Sequence, residues 1–395
     1  MIRLRPNFTL RVVASIASIA SALSPVACGA AHSAAAVPTA AASSAVADRS
    51  PDAGLAPDPP PTTSVLHVDG NRFVDHGKTV RLLGVGYSGS ENYCEEGIGF
   101  FQGPSDASLV GPLKAWHVNT VRVPLNEDCW LGINGVKPTY AAGNYQVAIQ
   151  TLVDVLRRAG MYVVVDLHWN APGSTLAKSQ QPMADADHSI AFWASAANAF
   201  KSDLGVLFDL YNEPYLSLEG GTAGERSWDC WLNGCSISDW REYQGSAATA
   251  GMQQLVDAVR GAGAKNIVLV GGLSYAEQLG DPWLAHLPKD PLHNLAASFH
   301  NYNFNGACNS QVCWDSTVRP IAGQVPVLTG ELGENDCAHG FVDSYFAWAD
   351  PLGISYLGWA WNPWDCGSGP ALIRDFDGTP TAFGQGFRDH FLAQP

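Results

Sequence analysis

The stretch Val206–Pro214 reads Val-Leu-Phe-Asp-Leu-Tyr-Asn-Glu-Pro, a short apolar run that ends in polar residues. A run of this length, rich in β-branched and aromatic residues, is typical of a strand covered on both faces. The Asn-Glu that follows places an amide and a carboxylate where the predicted strand stops. The same order recurs along the chain, with helical segments between the runs, and this alternation indicates a parallel sheet.

Eight such strand-like runs follow one another in a single domain. The runs are Arg81–Val85, Thr120–Val123, Tyr162–Leu167, Val206–Tyr211, Asn266–Val270, Ala296–His300, Val325–Thr329 and Ser355–Ala360. Segments with helical spacing include Tyr145–Ala159, Ser189–Lys201, Tyr243–Gly261, Val342–Trp348 and a closing helix over Thr381–Leu392. Eight strand–helix units predict an α/β fold of the (β/α)8 TIM-barrel type rather than an open doubly wound sheet.

A short β-hairpin is predicted in front of the barrel. Val65–Val68 and Phe73-Val74 flank Asp69-Gly70, a dipeptide that favours a tight turn between two strands. The barrel with its hairpin is predicted to occupy residues 65–395.

The first 33 residues have the order of a secretory signal. Arg3, Arg5 and Arg11 precede the apolar run Val12–Leu23, and small residues follow. The protein is therefore predicted to be secreted. Cys28 leaves a lipoprotein signal open, which would anchor the protein to the cell surface or in the periplasm, the only predicted membrane contact. Residues 34–64 are predicted to be a disordered linker, because 23 of these 31 residues are Ala, Pro, Ser or Thr and none is aromatic.

The overall composition excludes two classes of protein. Among 395 residues, 22 are Lys or Arg and 37 are Asp or Glu, so the formal net charge is −15. A protein that binds nucleic acid through phosphate contacts needs a basic surface, and this chain is acidic. Because 46% of the residues are hydrophobic and only 15% charged, the chain is not mainly disordered. A monomer is expected.

The cysteines agree with export. Eight remain when Cys28 is set aside, an even number that suggests up to four disulfides. Cys230–Cys235 and Cys308–Cys313 would close short loops, and Cys94–Cys129 with Cys337–Cys366 is the pairing suggested for the other four. Eight cysteines allow 105 pairings, so the sequence alone leaves the others open. A zinc site is the alternative, but the two CxxxxC spacings differ from the usual CxxC hooks and no tight His pair accompanies them. No metal is predicted.

Polar side chains stand where the predicted strands end. In a TIM barrel the loops after the strands carry the active site, so these side chains are expected to converge. They are Arg122, His168, Asn212, Glu213, His300, Tyr302 and Glu331, with Trp361 at the end of the last strand.

Glu213 and Glu331 are the central pair. Two carboxyl groups across a sugar-binding cleft are what the hydrolysis of a glycosidic bond needs, one to donate a proton and one to attack the anomeric carbon. A single Glu at a strand end is as easily a salt-bridge partner. The pair, with its polar neighbours, favours catalysis.

In these motifs the chain resembles glycoside hydrolase family 5, the cellulase-like retaining β-glycanases. The resemblance rests on Leu210–Pro214 and Thr329–Glu331, which look like the acid/base and nucleophile motifs of the family. It extends to Val121–Pro124, Asp166–Trp169, Phe299–Tyr302 and Gly358–Trp361, and it covers residues 65 to 395. A match to all eight residues of the usual active-site set, in order, is more specific than any one motif.

The resemblance implies a role for each matching residue. Glu213 would be the general acid/base and Glu331 the nucleophile. Asn212 would bind the sugar 2-hydroxyl, and Arg122 and Tyr302 would keep Glu331 ionised and oriented.

Three more residues of the set are assigned in the same way. His300 would contact Glu213 and help to set its proton cycle. His168 would bind a sugar hydroxyl, with a hydrogen-bonded histidine of the barrel lining as the alternative. Trp361 would form the apolar floor under the sugar.

Other residues near the predicted strand ends are less clearly assigned. Trp169 and Trp364 adjoin site residues and are predicted to bind sugar. Asn126, followed by Glu127 and Asp128, is predicted to reach a sugar on the non-reducing side of the scissile bond. Packing is predicted for Trp130, Trp228, Trp231, Trp314 and Trp359, because tryptophan is highly buried on average. Loop capping is predicted for Glu334.

Together these observations predict a secreted retaining glycoside hydrolase, most simply an endo-β-1,4-glucanase that needs no cofactor. Its partner would be a β-linked oligo- or polysaccharide. A β-mannanase, a xylanase or an exo-acting β-glucosidase remains an alternative on the same scaffold, because fold does not fix substrate. A non-catalytic glycan-binding surface protein is a second alternative, against which the retention of both carboxylates argues.

Overall fold

A computed structural model of the chain describes residues 63–394 except 221, 222 and 368. The predicted secretory signal, Cys28 and the linker as far as residue 62 lie outside the described residues. Within the described part, no helix is long and apolar enough to cross a membrane.

The predicted N-terminal hairpin is present and gains a third strand. Antiparallel strands β1 (His67–Asp69), β2 (Arg72–Asp75) and β3 (Lys78–Val80) form one small sheet. Asp69 pairs with Arg72, so the first turn is Gly70-Asn71, one residue later than predicted. The second turn uses His76 and Gly77, both with positive φ, which the sequence reading missed.

The predicted barrel is confirmed: eight parallel strands close into a cylinder. They are β4 (Leu83–Gly86), β5 (Thr120–Asn126), β6 (Tyr162–Trp169), β7 (Val206–Asp209), β10 (Val268–Gly271), β11 (Leu295–Tyr302), β12 (Val327–Gly333) and β13 (Ser355–Gly358), with β8 (Ser236–Ile237) and β9 (Ala247–Ala248) paired in the loop after β7. Each barrel strand follows its neighbour in chain order, and β13 pairs with β4 to close the ring.

Helices surround the barrel. Those before β10 are α1 (Tyr93–Glu96), α2 (Val110–Ala115), α3 (Glu127–Leu131), α4 (Gly143–Arg158), α5 (Ser189–Phe200), α6 (Glu225–Asn233) and α7 (Met252–Gly261). The later ones are the single turn α8 (Leu273–Ala276), α9 (Asp281–Ala285), α10 (Gln311–Cys313), a π-helical turn (Trp314–Val318), α11 (Arg319–Ala322), α12 (Gly340–Ala349) and α13 (Ala382–Ala393).

The predicted helix Tyr243–Gly261 begins nine residues late, at Met252. The alanine-rich segment before it has high helix propensity, but Ala247 and Ala248 pair with β8 instead. The helix then starts where Gln254 folds its side chain back onto the backbone N–H of Gly251. Tertiary pairing overrides local propensity here.

The barrel interior is apolar at its N-terminal end and polar at its C-terminal end. A cluster of buried apolar side chains fills the N-terminal end, and it includes Leu66, just before β1, and Phe73 in β2. In β6 the inward positions run from Val164 in this cluster to Asp166 and then His168. Because inward positions recur every second residue, the polar ones collect at the C-terminal end of the barrel.

All four predicted disulfides are present: Cys94–Cys129, Cys230–Cys235, Cys308–Cys313 and Cys337–Cys366. The alternative of a zinc site made by these cysteines is therefore wrong. Cys94–Cys129 joins the loop after β4 to α3, and Cys337–Cys366 joins the loops after β12 and β13. Both long-range bonds thus tie together neighbouring loops at the C-terminal end of the barrel.

Candidate active site

The two predicted catalytic carboxyl groups meet across one cavity. Glu213 follows β7 and Glu331 lies in β12, and a carboxyl oxygen of each lies within 4.8 Å of the other. The cavity has a volume of about 360 Å³. Its lining consists of His168, Gln180, Asn212, Glu213, Tyr275, Tyr302, Phe304, Asn305, Glu331, Trp359 and Pro370.

Glu331 is held through both of its carboxylate oxygens. Arg122 Nη1 donates to Oε1 at 2.6 Å, and the Tyr302 hydroxyl donates to Oε2. Burial raises the pKa of Tyr302 well above its ordinary value, so the phenol stays protonated as a donor. Charge-assisted bonds from two directions leave the Glu331 carboxylate a single orientation.

Arg122 is the buried cation at the centre of the site. Burial disfavours its charge, but Asp166, Glu331 and Asp209 outweigh that effect and raise the pKa of Arg122. Its Nη2 also donates to Asn212 Oδ1 at 2.8 Å. Because the guanidinium occupies that oxygen, the amide nitrogen of Asn212 is left to face the cavity.

Glu213 has a different environment, in which no arginine touches it among the described residues. Gln180 Nε2 donates to Glu213 Oε2 at 2.9 Å, and His300 Nδ1 lies 2.8 Å from Oε1. Burial raises the pKa of Glu213 above its ordinary value, whereas the bond from Gln180 opposes the rise. The two carboxyl groups therefore have different surroundings, because a guanidinium contacts Glu331 whereas an amide and a neutral imidazole contact Glu213.

Gln180 was missed by the sequence reading. It lies in the loop between β6 and α5, whereas the prediction considered only residues beside strand ends. Its Nε2 also donates to the backbone carbonyl of Glu213 at 2.7 Å, so it hydrogen-bonds both the main chain and the carboxyl group of that residue. No local signal in the sequence marks it, because the contact spans 33 residues.

The two histidines of the site have opposite character. Burial lowers the pKa of His300 to about 3, so His300 is neutral. Burial also disfavours charge on His168, but Asp166 lies 2.9 Å from its Nδ1 and outweighs burial, so the pKa of His168 is raised. His168 lines the cavity as predicted and stacks on Trp359, with ring centroids 5.6 Å apart.

The prediction for Trp361 was wrong. Trp361 is 0% exposed and packs edge-to-face against Trp116, with ring centroids 4.8 Å apart. Trp359, for which packing was predicted, lines the cavity instead. β13 ends at Gly358, so the alternation of a strand no longer sets the side-chain directions beyond it.

The prediction for Asn126 was also wrong. Its side chain is 0% exposed and donates to the backbone carbonyls of Glu91 and Ala177, both at 2.8 Å. Its Oδ1 accepts from the N–H of Cys129 and so caps α3. Glu127 and Asp128 are fully buried as well, so none of the three reaches a sugar.

The remaining aromatic predictions have mixed outcomes. Trp130, Trp228, Trp231 and Trp314 are buried, as the packing prediction requires. Trp169 and Trp364 are half-buried and do not line the cavity, so their role in sugar binding stays a prediction. Glu334 caps as predicted, because its Oε2 accepts from the N–H of Phe341 at the start of α12.

A second cavity adjoins the first on the side of α8. It measures about 340 Å³ and shares Tyr275, Phe304 and Asn305 with the catalytic cavity. Tyr215 stacks on Tyr275 with ring centroids 4.9 Å apart. The two cavities therefore lie side by side with aromatic residues between them, which the sequence analysis did not predict.

Comparisons with known proteins agree with this geometry. The family described as Cellulase (glycosyl hydrolase family 5) matches residues 82–365. Endoglucanase CelA of Streptomyces lividans is 26% identical over 327 residues, which are 80% of this chain and 60% of the relative. Endoglucanase E-5 of Thermobifida fusca is 23% identical over 328 residues, 79% of this chain and 59% of the relative. The chain thus spans about 60% of the length of these relatives.

Solved structures share the fold. The β-glucanase SdGluc5_26A from Saccharophagus degradans has a TM-score of 0.60 at 23% identity, covering 84% of this chain and 94% of that one. The catalytic domain of Thermobifida fusca endoglucanase Cel5A, in complex with cellotetraose, has a TM-score of 0.57 at 18% identity, covering 83% and 97%. With the family match over most of the barrel, these findings lead to one conclusion: the chain belongs to glycosyl hydrolase family 5, the cellulase family.

Proposed function

We propose that the protein is a secreted, retaining glycoside hydrolase that cleaves β-1,4-linked glucan within the chain. The observation that carries this proposal is the pair Glu213 and Glu331, with carboxyl oxygens within 4.8 Å of each other. Retaining enzymes hold their carboxyl groups about 5 to 5.5 Å apart, whereas inverting enzymes need about 6.5 to 9.5 Å to admit a water. The short separation supports double displacement.

In the first step Glu331 attacks the anomeric carbon. A carboxylate oxygen of Glu331 forms the new C–O bond while the glycosidic C–O bond breaks, and Glu213 gives its proton to the departing sugar oxygen. Arg122 and Tyr302 hold the attacking carboxylate in place. The raised pKa of Glu213 keeps its proton available to a higher pH than an exposed glutamate would.

In the second step water releases the sugar. Glu213, now ionised, takes a proton from a water molecule, whose oxygen attacks the anomeric carbon and displaces Glu331 as a carboxylate. Both carboxyl groups return to their initial protonation states. The two carboxyls and water complete this reaction, so no cofactor takes part in it.

The neighbouring groups suit a neutral sugar. The amide nitrogen of Asn212 faces the cavity and can hydrogen-bond the 2-hydroxyl of the sugar, which positions the ring for attack. His168 offers a ring nitrogen to a second hydroxyl. Trp359 provides the apolar surface on which a pyranose face rests.

The pair of adjoining cavities favours endo action on a polymer. A pocket closed at one end admits only a chain terminus, whereas a second cavity lies beside the catalytic cavity and shares Tyr275, Phe304 and Asn305 with it. The relatives named endoglucanases, and the related domain in complex with cellotetraose, support glucan as the substrate. A β-mannanase, a xylanase or an exo-acting β-glucosidase is the alternative.

A panel of soluble polysaccharides tests this assignment. We expect hydrolysis of carboxymethyl cellulose and mixed-linkage β-glucan at rates at least about tenfold above those on mannan and xylan, because pocket contacts to one substituent change rates by about 10- to 200-fold. Chromatography of early products should show a range of oligosaccharide lengths. Faster hydrolysis of mannan or xylan, or glucose as the sole early product, would contradict the substrate or the endo action.

Replacing Trp359 with Ala is expected to lower activity, whereas replacing Trp361 with Ala is expected to lower stability. Trp359→Ala should lower kcat/KM on soluble glucan by about tenfold or more, because the sugar loses its aromatic floor. Trp361→Ala should lower the free energy of unfolding by about 3 to 5 kcal/mol, because it leaves a cavity in the core. Urea unfolding and steady-state kinetics of both variants check this. A Trp361→Ala variant of unchanged stability but weakened substrate binding would restore the assignment made from sequence.

We also propose that the protein acts outside the cytoplasm. Four disulfides suit an oxidising compartment, and the order of residues 1–33 suits export. Export would be followed either by cleavage of the secretory signal or by attachment of a lipid at Cys28. The folded protein acts as a monomer on its substrate.

A further inference from the structure

A second group of buried carboxyl groups lies away from the catalytic cavity. Glu127 opens α3, directly after β5, and Asp185 and His188 lie just before α5. One ligand atom from each of these three residues lies within 4.8 Å of the others. We refer to Glu127, Asp185 and His188 as the Glu127 cluster.

Glu127 and Asp185 can share a hydrogen bond when one of the two is protonated. With both ionised, two buried atoms of the Glu127 cluster have no hydrogen-bond partner in the described part of the chain. They are Oε1 of Glu127, whose side chain is 0% exposed, and Nδ1 of His188. His188 Nδ1 lies 3.8 Å from Glu127 Oε1 and 3.6 Å from Asp185 Oδ1. Both distances are too long for hydrogen bonds. Ligand atoms about 2.1 Å from a tetrahedral metal ion, however, lie about 3.4 Å from one another.

The Glu127 cluster also lacks a compensating cation among the residues the structure covers. No lysine or arginine there forms an ion pair with Glu127, Asp185 or the adjacent buried Asp128. Buried carboxylates that are not paired with a positive charge are costly, and coordination of a metal ion is one of the ways in which proteins offset that cost.

We propose that the Glu127 cluster binds one divalent ion of the zinc class, through Glu127 Oε1, Asp185 Oδ1 and His188 Nδ1. One imidazole nitrogen and two carboxylate oxygens form a donor set that zinc accepts, with a fourth position open to water. Calcium is a poorer match, because it takes six to eight oxygen ligands.

The surroundings of the Glu127 cluster are those of an oriented metal site. Asn170 donates to Asp185 Oδ2 at 2.8 Å, and Ser189 Oγ donates to Glu127 Oε2 at 2.6 Å. The backbone N–H of His188 also donates to Asp185 Oδ1 at 2.8 Å, which leaves a second lone pair of that oxygen for an ion. Such outer contacts orient ligands in known metal sites.

Occupancy would join two segments that shape the catalytic cavity. Glu127 opens α3 directly after β5, and Asp185 and His188 close the loop that begins after β6. The same loop carries Gln180, which donates to the acid/base Glu213. The ion would therefore be structural, fixing the loop rather than taking part in the reaction.

Metal content and thermal stability test the proposal directly. The purified chain is stripped with EDTA, exchanged into buffer and equilibrated with Zn²⁺, and bound zinc is measured by mass spectrometry after gel filtration. We expect about one zinc per chain and, with zinc at about 100 times its dissociation constant, a rise in Tm of roughly 5 °C. Glu127→Gln and His188→Gln should each lose the bound zinc and the rise in Tm.

Two control variants locate the ion. His286→Gln removes a histidine of a comparable pair, 3.4 Å from Glu225 elsewhere on the surface, and should keep the zinc. Glu331→Gln alters the catalytic carboxyl group and should keep it too. His188 is 22% exposed on its side chain, so His188→Gln remains informative if Glu127→Gln does not fold.

Three results would overturn the proposal. If the parent chain takes up no zinc, the carboxyl groups of Glu127 and Asp185 share a proton instead of binding an ion. Uptake that persists in His188→Gln but disappears in Glu331→Gln would place the ion in the catalytic cavity. Stabilisation by Ca²⁺ and not by Zn²⁺ would exclude the zinc class.

Discussion

Replacing Glu331 with Gln is expected to lower kcat on soluble glucan by at least about 10⁴-fold, a loss of about 5.4 kcal/mol of transition-state stabilisation. The amide cannot form the covalent bond to the anomeric carbon that the proposed first step requires. It nevertheless has nearly the size of the carboxylate. Its carbonyl can still accept from Arg122 and its amide can donate to the Tyr302 oxygen, so the surrounding bonds need not break.

Substrate binding separates loss of chemistry from loss of structure. Calorimetric titration with cello-oligosaccharides should give a Kd for Glu331→Gln within a few-fold of the parent value, and thermal unfolding should show an intact fold. Hydrolysis that continues at the parental rate would refute the nucleophile assignment. Loss of binding together with activity would show that Glu331 mainly holds the site together.

Replacing Glu213 with Ala is expected to depend on the leaving group. Hydrolysis of natural glucan should fall by about 10²- to 10⁴-fold, because the departing sugar oxygen no longer receives a proton. Aryl glycosides with good leaving groups need no such proton and should still react in the first step. Their glycosyl–enzyme intermediate then accumulates, because no base activates the water.

Added azide provides the decisive measurement for Glu213→Ala. The anion fits the space left by the carboxyl group and attacks the anomeric carbon without a base, so turnover of the aryl glycoside should recover and yield a β-glycosyl azide. Gln180→Ala is a matched control, since it removes a neighbour of Glu213 but leaves the carboxyl group, and it should show no azide acceleration. If azide fails to accelerate Glu213→Ala, the acid/base role is wrong.

The pH dependence of kcat/KM tests the acid/base role of Glu213 independently of azide. Glu213 must be protonated in the free enzyme, so kcat/KM should be retained below its pKa and should fall as the pH rises through it. Because burial raises the pKa of Glu213, this fall should begin at a higher pH than for an exposed glutamate. With an activated aryl glycoside, the Glu213→Ala variant should lose that alkaline fall in the first step.

The positions of the residues proposed to be catalytic could be predicted because they follow from local order along the chain. Apolar runs such as Val206–Asp209 form strands that are buried on both faces, and the residues that follow must emerge at one end of the barrel. Arg122, Glu213 and Glu331 were found in this way, and the motif match assigned their roles. Two of the disulfides, Cys230–Cys235 and Cys308–Cys313, were predictable because their cysteines stand only five positions apart.

The errors in the site predictions share one physical cause. Trp359 and Trp361 are two residues apart beyond the end of β13, where strand periodicity has stopped, so only packing against Trp116 decides that Trp361 is core. Asn126 stands at the end of β5 like a catalytic residue, yet its amide binds two backbone carbonyls. Which neighbours a side chain meets there depends on loops distant in sequence.

The sequence by itself therefore determined the barrel, the order of its strands, the two carboxyl groups and the two short-range disulfides, because strand periodicity and motif spacing are local properties. Only the tertiary structure decided that Gln180 restrains Glu213, that Trp359 forms the cavity wall and that Glu127 meets Asp185 and His188. Each of these contacts joins segments tens of residues apart, and their geometry is set when loops pack at the end of the barrel.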